Sequence, residues 1–422
     1  MSGRSNRRGF LKSSAAGAGS LFAAPLILPS RVFGANERVA VASIGVRNQG
    51  GGNLKRFLDA GTDVVAVCDV DSKVAGAAAE TVMKSGVACQ IYGDYRKLLE
   101  RTDLDAVVIT TPDHWHALMT IHACQAGKDV YCEKPLSLTI AEGRRMVKAA
   151  REHSRIVQTG SQQRSSAEFW KACMLVRNGM LGEVQSILVG IPDPNHPGPI
   201  GPEEQVPAEL NYDMWLGPAP FVPYHSKRVH YNFRFWWDYS GGQITNFGAH
   251  HLDIVQWALG MDNSGPVSAE GTAGFHPDKV HEVTESCRIT YTYGNGVKVV
   301  LGQRQDDIPE GVTFIGSKGR VVVGRGRVSS TPSEIAETSL EDSSLIQLVR
   351  STDHTQNFLE SVKTRELPIC DVEIGHRSAT VCHLGNLVAR LGRPIKWDPV
   401  SELIVGDAEA QAMTDRVYRE TR

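Results

Sequence analysis

A glycine-rich turn, one aspartate, one lysine and one histidine carry the chemistry that can be read in this sequence. The run Val39–Ile44 leads into Gly45-Val-Arg47-Asn-Gln-Gly50-Gly51-Gly52. Between a first strand and its helix, glycines let backbone approach a pyrophosphate at the helix's positive end. Arg47 stands where the middle glycine of G-x-G-x-x-G is expected, and Gly50 to Gly52 offer a second tight approach. Asp69 closes the next apolar run, Val64–Cys68, twenty-four residues after Gly45. A carboxylate there accepts from a ribose 2′-OH and repels a 2′-phosphate, which favours NAD over NADP. Lys134 lies in Gly127-Lys-Asp-Val-Tyr-Cys-Glu133-Lys134-Pro135. The proline keeps it out of helical geometry, past the carboxyl end of a strand, where ligands of open α/β sheets bind. A lysine near a cationic nicotinamide loses proton affinity and can donate to, or accept from, a substrate hydroxyl.

Farther on, Asn246, His250, Asp253 and Trp257 are spaced four, three and four apart, so they share one helical face. Asn246 can orient a hydroxyl or an imidazole but cannot exchange a proton at neutral pH. Asp253 and Asp238 are the carboxylates available to His250. Residues 231–239 read Tyr-Asn-Phe-Arg-Phe-Trp-Trp-Asp-Tyr, with an aromatic at every odd position. Strict period two predicts a strand. Its other face, with Arg234 and Trp236, offers polar donors and a flat ring suited to a sugar. The pair His114-x-His116 begins a helix after Pro112, so it is not expected to hold zinc, and no metal site is expected.

These residues need a scaffold that alternates strand and helix up to about Gln158. Short apolar runs (Val64–Cys68, Ala106–Ile109, Val130–Cys132, Ile156–Gln158) alternate with helical stretches such as His114–Ala126 and Ile140–Arg151. Such alternation predicts βαβ units and a parallel sheet. Thr139 with Glu142 three residues on forms a capping box. The texture then changes. Residues 192–223 hold nine of the twenty prolines, which excludes regular structure there. Strand-like runs follow at Cys287–Tyr293, Val297–Leu301, Val312–Ile315 and Arg320–Val323, the first two joined by Gly294-Asn295-Gly296. Strands without intervening helices predict an antiparallel sheet. A last helix is expected from about Glu373 to Arg390. The expected fold is α/β: a leader over 1–35, a dinucleotide-binding domain over 36–158 and an α/β domain with a large, open, mainly antiparallel sheet over 159–422.

The leader reads as an export signal. Asn6-Arg7-Arg8-Gly-Phe-Leu-Lys12 precedes an uncharged stretch, Ser13 to Ser30, broken by Pro25 and Pro29. Paired arginines before a short apolar region resemble a twin-arginine signal, so an exported, periplasmic or extracytoplasmic protein is expected. No segment is apolar for the ~20 residues a membrane span needs. Net charge is −2, and five basic residues sit within the first 35, leaving 40 basic against 47 acidic beyond them. That balance excludes a nucleic-acid binder. None of the eight cysteines forms a C-x-x-C pair, so no zinc ribbon or redox dithiol is written here.

Together, Thr110-Thr111-Pro112-Asp113-His114-Trp115-His116, Glu133-Lys134-Pro135 and Gly241-Gly242-Gln-Ile-Thr-Asn246-Phe-Gly248-Ala-His250-His251-Leu-Asp253 resemble the glucose–fructose oxidoreductase / inositol dehydrogenase / rhizopine-catabolism family. The likeness runs from Glu37 to about Trp397, and Glu-Lys-Pro is its most specific mark. The leader and Trp236-Trp237-Asp238-Tyr-Ser-Gly-Gly resemble an exported branch of it. The resemblance implies a Rossmann domain joined to an α/β domain, and hydride transfer between nicotinamide and a carbinol of a sugar, cyclitol or glycoside. It implies Lys134 beside the reacting carbon and His250 as acid/base, with Asn246 where an aspartate is usual. It implies a cofactor site at Gly45, Arg47, Gly50, Asp69, Thr111, Pro112, His116, Glu133 and Lys134, holding NAD tightly. Asn246, Asp253, Trp236 and Arg234 are expected at the substrate. Some relatives instead cleave glycosides without net redox, through a transient keto-sugar. A homo-oligomer formed through the C-terminal sheet is expected.

Overall fold

The computed structural model describes residues 38–420, and the expected leader with Arg7 and Arg8 lies outside that span. Six short strands build the first sheet: β1 (Ala40–Ile44), β2 (Asp63–Cys68), β3 (Gln90–Tyr92), β4 (Ala106–Ile109), β5 (Asp129–Cys132) and β6 (Val157–Thr159). They pair in parallel in the order β3-β2-β1-β4-β5-β6, the doubly wound arrangement of a Rossmann domain. Their apolar runs are buried on both faces, as a sheet sandwiched between helices requires. The crossover helices include α1 (Gln49–Asp59), α2 (Ser72–Met83), α3 (Asp113–Gln125) and α4 (Ile140–Glu152). Asp71 caps α2 by accepting from the N–H groups of Lys73 and Val74. Thr139 and Glu142 form the expected capping box on α4.

After α5 (Ala167–Arg177), nine strands make one large sheet. They are β7 (Val184–Ile191), β8 (Pro266–Phe275), β9 (Thr284–Tyr293), β10 (Lys298–Gln303), β11 (Gly311–Gly316), β12 (Gly319–Gly324), β13 (Arg327–Thr331), β14 (Ile395–Asp398) and β15 (Leu403–Ile404), in the order β13-β12-β11-β7-β10-β9-β8-β14-β15. Only the β7–β10 pair is parallel; the rest are antiparallel. One face packs on α5, α6 (Gly248–Leu259) and the long α8 (Val372–Leu391), and Phe169, Leu252, Tyr291 and Leu384 are buried there.

The C-terminal stretch returns to the first sheet. Phe358, Leu359 and Val362 of α7 (His354–Thr364) join its core, where Phe358 meets Phe57 and Tyr131 edge-on. Gln158 in β6 donates from its side chain to the His354 carbonyl, and Thr159 N–H donates to the Cys370 carbonyl.

The strand expected over 231–239 is absent. His230–Phe235 forms a 3₁₀ turn. Three residues per turn place Tyr231 and Arg234 on one side, and the guanidinium stacks 3.8 Å from the Tyr231 ring centre. Trp237 N–H donates to Glu282 Oε2 rather than to a neighbouring strand. Burial does not follow the period of two either: Tyr231 is exposed, whereas Phe235, its neighbour Trp236 and Tyr239 are buried.

Candidate active site

One cleft of about 670 Å³ lies past the carboxyl ends of β1, β2, β4 and β5, and its lining draws on both halves of the chain. Its floor is the turn after β1. Gly45 has φ +77°, and a Cβ there would lie 2.7 Å from the Thr110 carbonyl oxygen. At Gly50 a Cβ would lie 2.1 Å from the Gly45 oxygen. Only glycine permits this approach, and the N-terminal end of α1 faces the cleft at Gln49. This cradle fits a dinucleotide pyrophosphate.

Asp69 ends β2 and lines the cleft. Oδ2 accepts from Val46 N–H at 3.0 Å and Oδ1 from Asp71 N–H at 3.0 Å, so the turn fixes the carboxylate for a ribose. Burial pushes its pKa up, against the pull of those two N–H groups. Arg47 does not reach across the phosphate cradle; its guanidinium pairs with Asp71.

Glu133 organises the base of the cleft. Oε1 accepts from Gln49 (3.1 Å), Asn53 (3.0 Å) and Gln162 (3.0 Å), and Oε2 from the Lys134 N–H (3.2 Å). Thr111 and Pro112 line the cleft, and Thr111 Oγ1 is buried without a partner. His116 lies behind the cleft wall. Its Nδ1 is 2.8 Å from the Pro135 oxygen and its Nε2 2.9 Å from the Thr111 oxygen. A carbonyl only accepts, so both ring nitrogens carry hydrogen and the ring is an imidazolium. Burial opposes this charge, but the Cys132 side chain, Asp113 and the Pro135 carbonyl outweigh it and push the pKa up to about 10. His116 therefore holds the two loops that flank Lys134. His114 bonds the Trp215 carbonyl instead, so the two rings face different partners.

Lys134 Nζ donates to Asn246 Oδ1 at 2.8 Å and lies 3.3 Å from the Asn246 carbonyl. Burial lowers its pKa; Glu133 and Asp113 offset part of that, and Arg234 and Arg325 add to it. His250 lines the cleft with Lys134, and among the described residues no carboxylate pairs with it. Burial, then the charges of Lys134 and Arg325, hold its pKa well below the ordinary imidazole value. It is a neutral ring with an unpartnered, buried Nδ1.

The shared helical face divides. Asn246 and His250 line the cleft, whereas Asp253, three residues farther along α6, lies in the core. Asp253 is fully buried and pairs with Arg164 through Nε (2.8 Å) and Nη2 (2.9 Å); Ser378 also donates to it at 2.7 Å. The structure thus places Asp253 in a packing ion pair, not at the substrate or His250. Trp236 is also outside the lining, buried under Arg228 with its ring N–H toward the Lys227 carbonyl. Asp238 lies apart from His250, near Glu282, Arg228, Arg416 and Arg390. Arg234 lines the cleft as expected for a substrate residue.

Many lining residues were not expected from the sequence, among them Gln162, Gln163 and Arg325. Gln162 bonds Glu133, and Gln163 is buried with both amide atoms unpartnered. Arg325 arrives from the β12–β13 turn. The glutamines fall beyond β6, between the Glu133-Lys134-Pro135 and Gly241–Asp253 motifs, and nothing in the sequence places a turn arginine at the site.

His196, His281 and Glu285 bring ligand-type atoms within 4.8 Å of one another. His196 Nδ1 accepts from Gly198 N–H at 3.2 Å, which puts its proton on Nε2, the atom facing Glu285. That ring offers the carboxylate a donor rather than a cation a lone pair.

Residues 38–161 match the family model "Oxidoreductase family, NAD-binding Rossmann fold", and residues 200–422 match "Oxidoreductase family, C-terminal alpha/beta domain". The chain is 24% identical over 323 residues to the uncharacterized oxidoreductase YrbE of Bacillus subtilis, covering 74% of this chain and 84% of that protein. It is 31% identical over 202 residues to a glycosyl hydrolase family 109 protein of Shewanella pealeana, 42% of this chain and 44% of that one. It is 32% identical over 143 residues to inositol 2-dehydrogenase of Salmonella typhimurium, 33% of this chain and 42% of that one. The chain thus spans less than half the length of the latter two. In fold it is similar to the aldose-aldose oxidoreductase of Caulobacter crescentus (TM-score 0.62, 19% identity, 85% of this chain and 100% of that one). It is also similar to myo-inositol 2-dehydrogenase of Lactobacillus plantarum (TM-score 0.60, 21% identity, 85% and 99%). With both halves matched, the chain belongs to the glucose–fructose oxidoreductase / inositol dehydrogenase / rhizopine-catabolism family of NAD-binding oxidoreductases.

Proposed function

We propose that this protein transfers hydride between NAD and a carbinol of a sugar, cyclitol or glycoside. The observation that carries the reading is the convergence of Lys134 and a neutral His250 on the cleft that holds the glycine cradle and Asp69. Bound nicotinamide supplies the hydride acceptor. The Lys134 side chain, steadied by Asn246, donates to the carbinol oxygen and stabilises negative charge as it develops. His250 takes the hydroxyl proton; its low proton affinity keeps it available as a base at neutral pH. Glu133 and His116 position the Lys134 loop. Asp69 supports NAD over NADP. The inositol 2-dehydrogenase relative supports a polyol substrate.

A second reading, redox-neutral cleavage of a glycoside through a transient ketone, is supported by the likeness to the glycosyl hydrolase family 109 protein. Products separate the two: net NADH for the first, free aglycone without net NADH for the second. Mass spectrometry of cofactor released by denaturation, followed by product analysis on a panel of sugars and glycosides, tests both. The basic leader supports export by the twin-arginine route, and a cofactor held tightly suits a compartment without an NAD pool. Self-association through the nine-stranded sheet completes the proposal. Replacing Arg7 and Arg8 by Lys tests the export route, and precursor retained in the cytoplasm is the expected result.

A further inference from the structure

Two guanidinium groups at the substrate end of the cleft have no carboxylate. Arg234 donates from Nε to the Tyr231 carbonyl at 3.1 Å and from Nη2 to Asn195 Oδ1 at 3.3 Å, and it stacks over the Tyr231 ring. Arg325, from the β12–β13 turn, lies over the Phe247 ring, 5.3 Å from its centre. Both line the cleft, and among the described residues neither is ion-paired. Of the other arginines, Arg47 pairs with Asp71, Arg164 with Asp253, Arg304 with Asp193 and Arg416 with Glu142, while Arg56, at the cofactor end, donates to Asn53 Oδ1 at 2.8 Å.

The acids near these two cations are already engaged. Glu133 accepts from Gln49, Asn53 and Gln162. Asp113 accepts the Ser240 hydroxyl at 2.6 Å. Glu168 accepts Gly326 N–H at 2.8 Å, which fixes the turn that carries Arg325. The cofactor's phosphates have their own cradle at Gly45 to Gln49, on the first half of the chain, whereas Arg234 and Arg325 come from the second. Arg325 lies over Phe247, the residue after Asn246, and both guanidinium groups line the same cleft as Lys134 and His250. A planar guanidinium with donors to spare selects a carboxylate or a phosphate.

We infer that the substrate is an anionic sugar, with a carboxylate or phosphate held by Arg234 and Arg325 while the carbinol faces Lys134 and His250. The inference rests on the sugar reading above and narrows it. Substrates whose anion lies a few bonds from the reacting carbon, such as sugar acids and sugar phosphates, fit this placement.

The test is calorimetric binding of glucose, glucuronate and glucose 6-phosphate to the full chain loaded with NAD, with nicotinamide reduction followed in parallel. The expected result is about tenfold or tighter binding of one of the anions over glucose. The preference should weaken as salt is raised. It should fall towards one in Arg234→Gln and Arg325→Gln, with NAD titration and thermal melting confirming that both variants fold. Preference for glucuronate assigns a carboxylate; preference for the phosphate ester assigns a phosphate. Equal affinity for all three sugars, or a preference retained in the Arg234→Gln/Arg325→Gln double variant, overturns the inference. Turnover of glucose without preference would do so while sparing the sugar reading. Anion preference without any hydride transfer would sink that reading and leave the anion site standing. Binding of none of the three overturns both.

Discussion

Lys134 Nζ lies 2.8 Å from Oδ1 of Asn246, so the asparagine serves the lysine and not the histidine one turn later. An amide at this position steadies an ammonium without adding charge, which leaves burial free to lower the proton affinity of Lys134.

Asn246→Asp would place a carboxylate on Lys134. An opposite charge at hydrogen-bond distance favours the ammonium form. The alkaline limb of the kcat–pH profile, which reports loss of that ammonium, should move to higher pH, and the acid limb governed by His250 should move less. An unchanged alkaline limb would show that Lys134 does not titrate in the catalytic cycle.

His116 should be an imidazolium in the folded protein well above the pH at which free histidine is neutral. Its folded pKa of about 10 exceeds the unfolded value of about 6.5. The charge therefore contributes stability fully below the unfolded value, and the contribution is lost as pH rises through the folded value. Nitrogen chemical shifts of His116 at pH 8 should show both ring nitrogens protonated. A neutral tautomer at that pH would contradict the geometry drawn from Pro135 and Thr111.

Arg47 is neutralised by Asp71, whose carboxylate also caps α2. Asp71→Asn keeps a capping oxygen but releases the guanidinium next to the ribose position. Binding of NADP should strengthen relative to NAD. Replacing Asp69 by Ser should erode NAD preference by removing the repelling charge. Titration of both cofactors against the two variants checks this, and tighter NADP than NAD binding by the unaltered protein would overturn the cofactor assignment.

Asp253→Asn should act on stability. Removing Asp253 from this buried cluster leaves Arg164 with Asp262 alone, at a cost of up to roughly 3–5 kcal/mol. Denaturant unfolding should show the loss, while variant that remains folded should bind substrate as before. A raised KM with undiminished stability would return Asp253 to the substrate site.

Much of this was legible before the structure. The parallel pairing of the first sheet follows from short apolar runs alternating with helices, since runs buried on both faces suit a parallel sheet. Gly45, Asp69 and Lys134 were legible because each sits at a strand end that its own neighbours define. Asp253 and Trp236 misled because a shared face and a period of two describe one element in isolation. What turns Asp253 inward is Arg164, eighty-nine residues away, and what buries Trp236 is packing against Arg228. Arg325 was illegible for the same reason: the β12–β13 turn reaches the cleft only once nine strands are in order.

The central claim is that Lys134 and His250 handle the hydroxyl proton while hydride leaves the carbinol. The most direct measurement is kcat for nicotinamide reduction by wild type, Lys134→Ala and His250→Ala on one turned-over sugar, with the Kd for NAD measured separately. The account predicts a loss of ~10²–10⁴-fold in kcat for each variant with NAD affinity nearly unchanged. Full activity in either variant would contradict it.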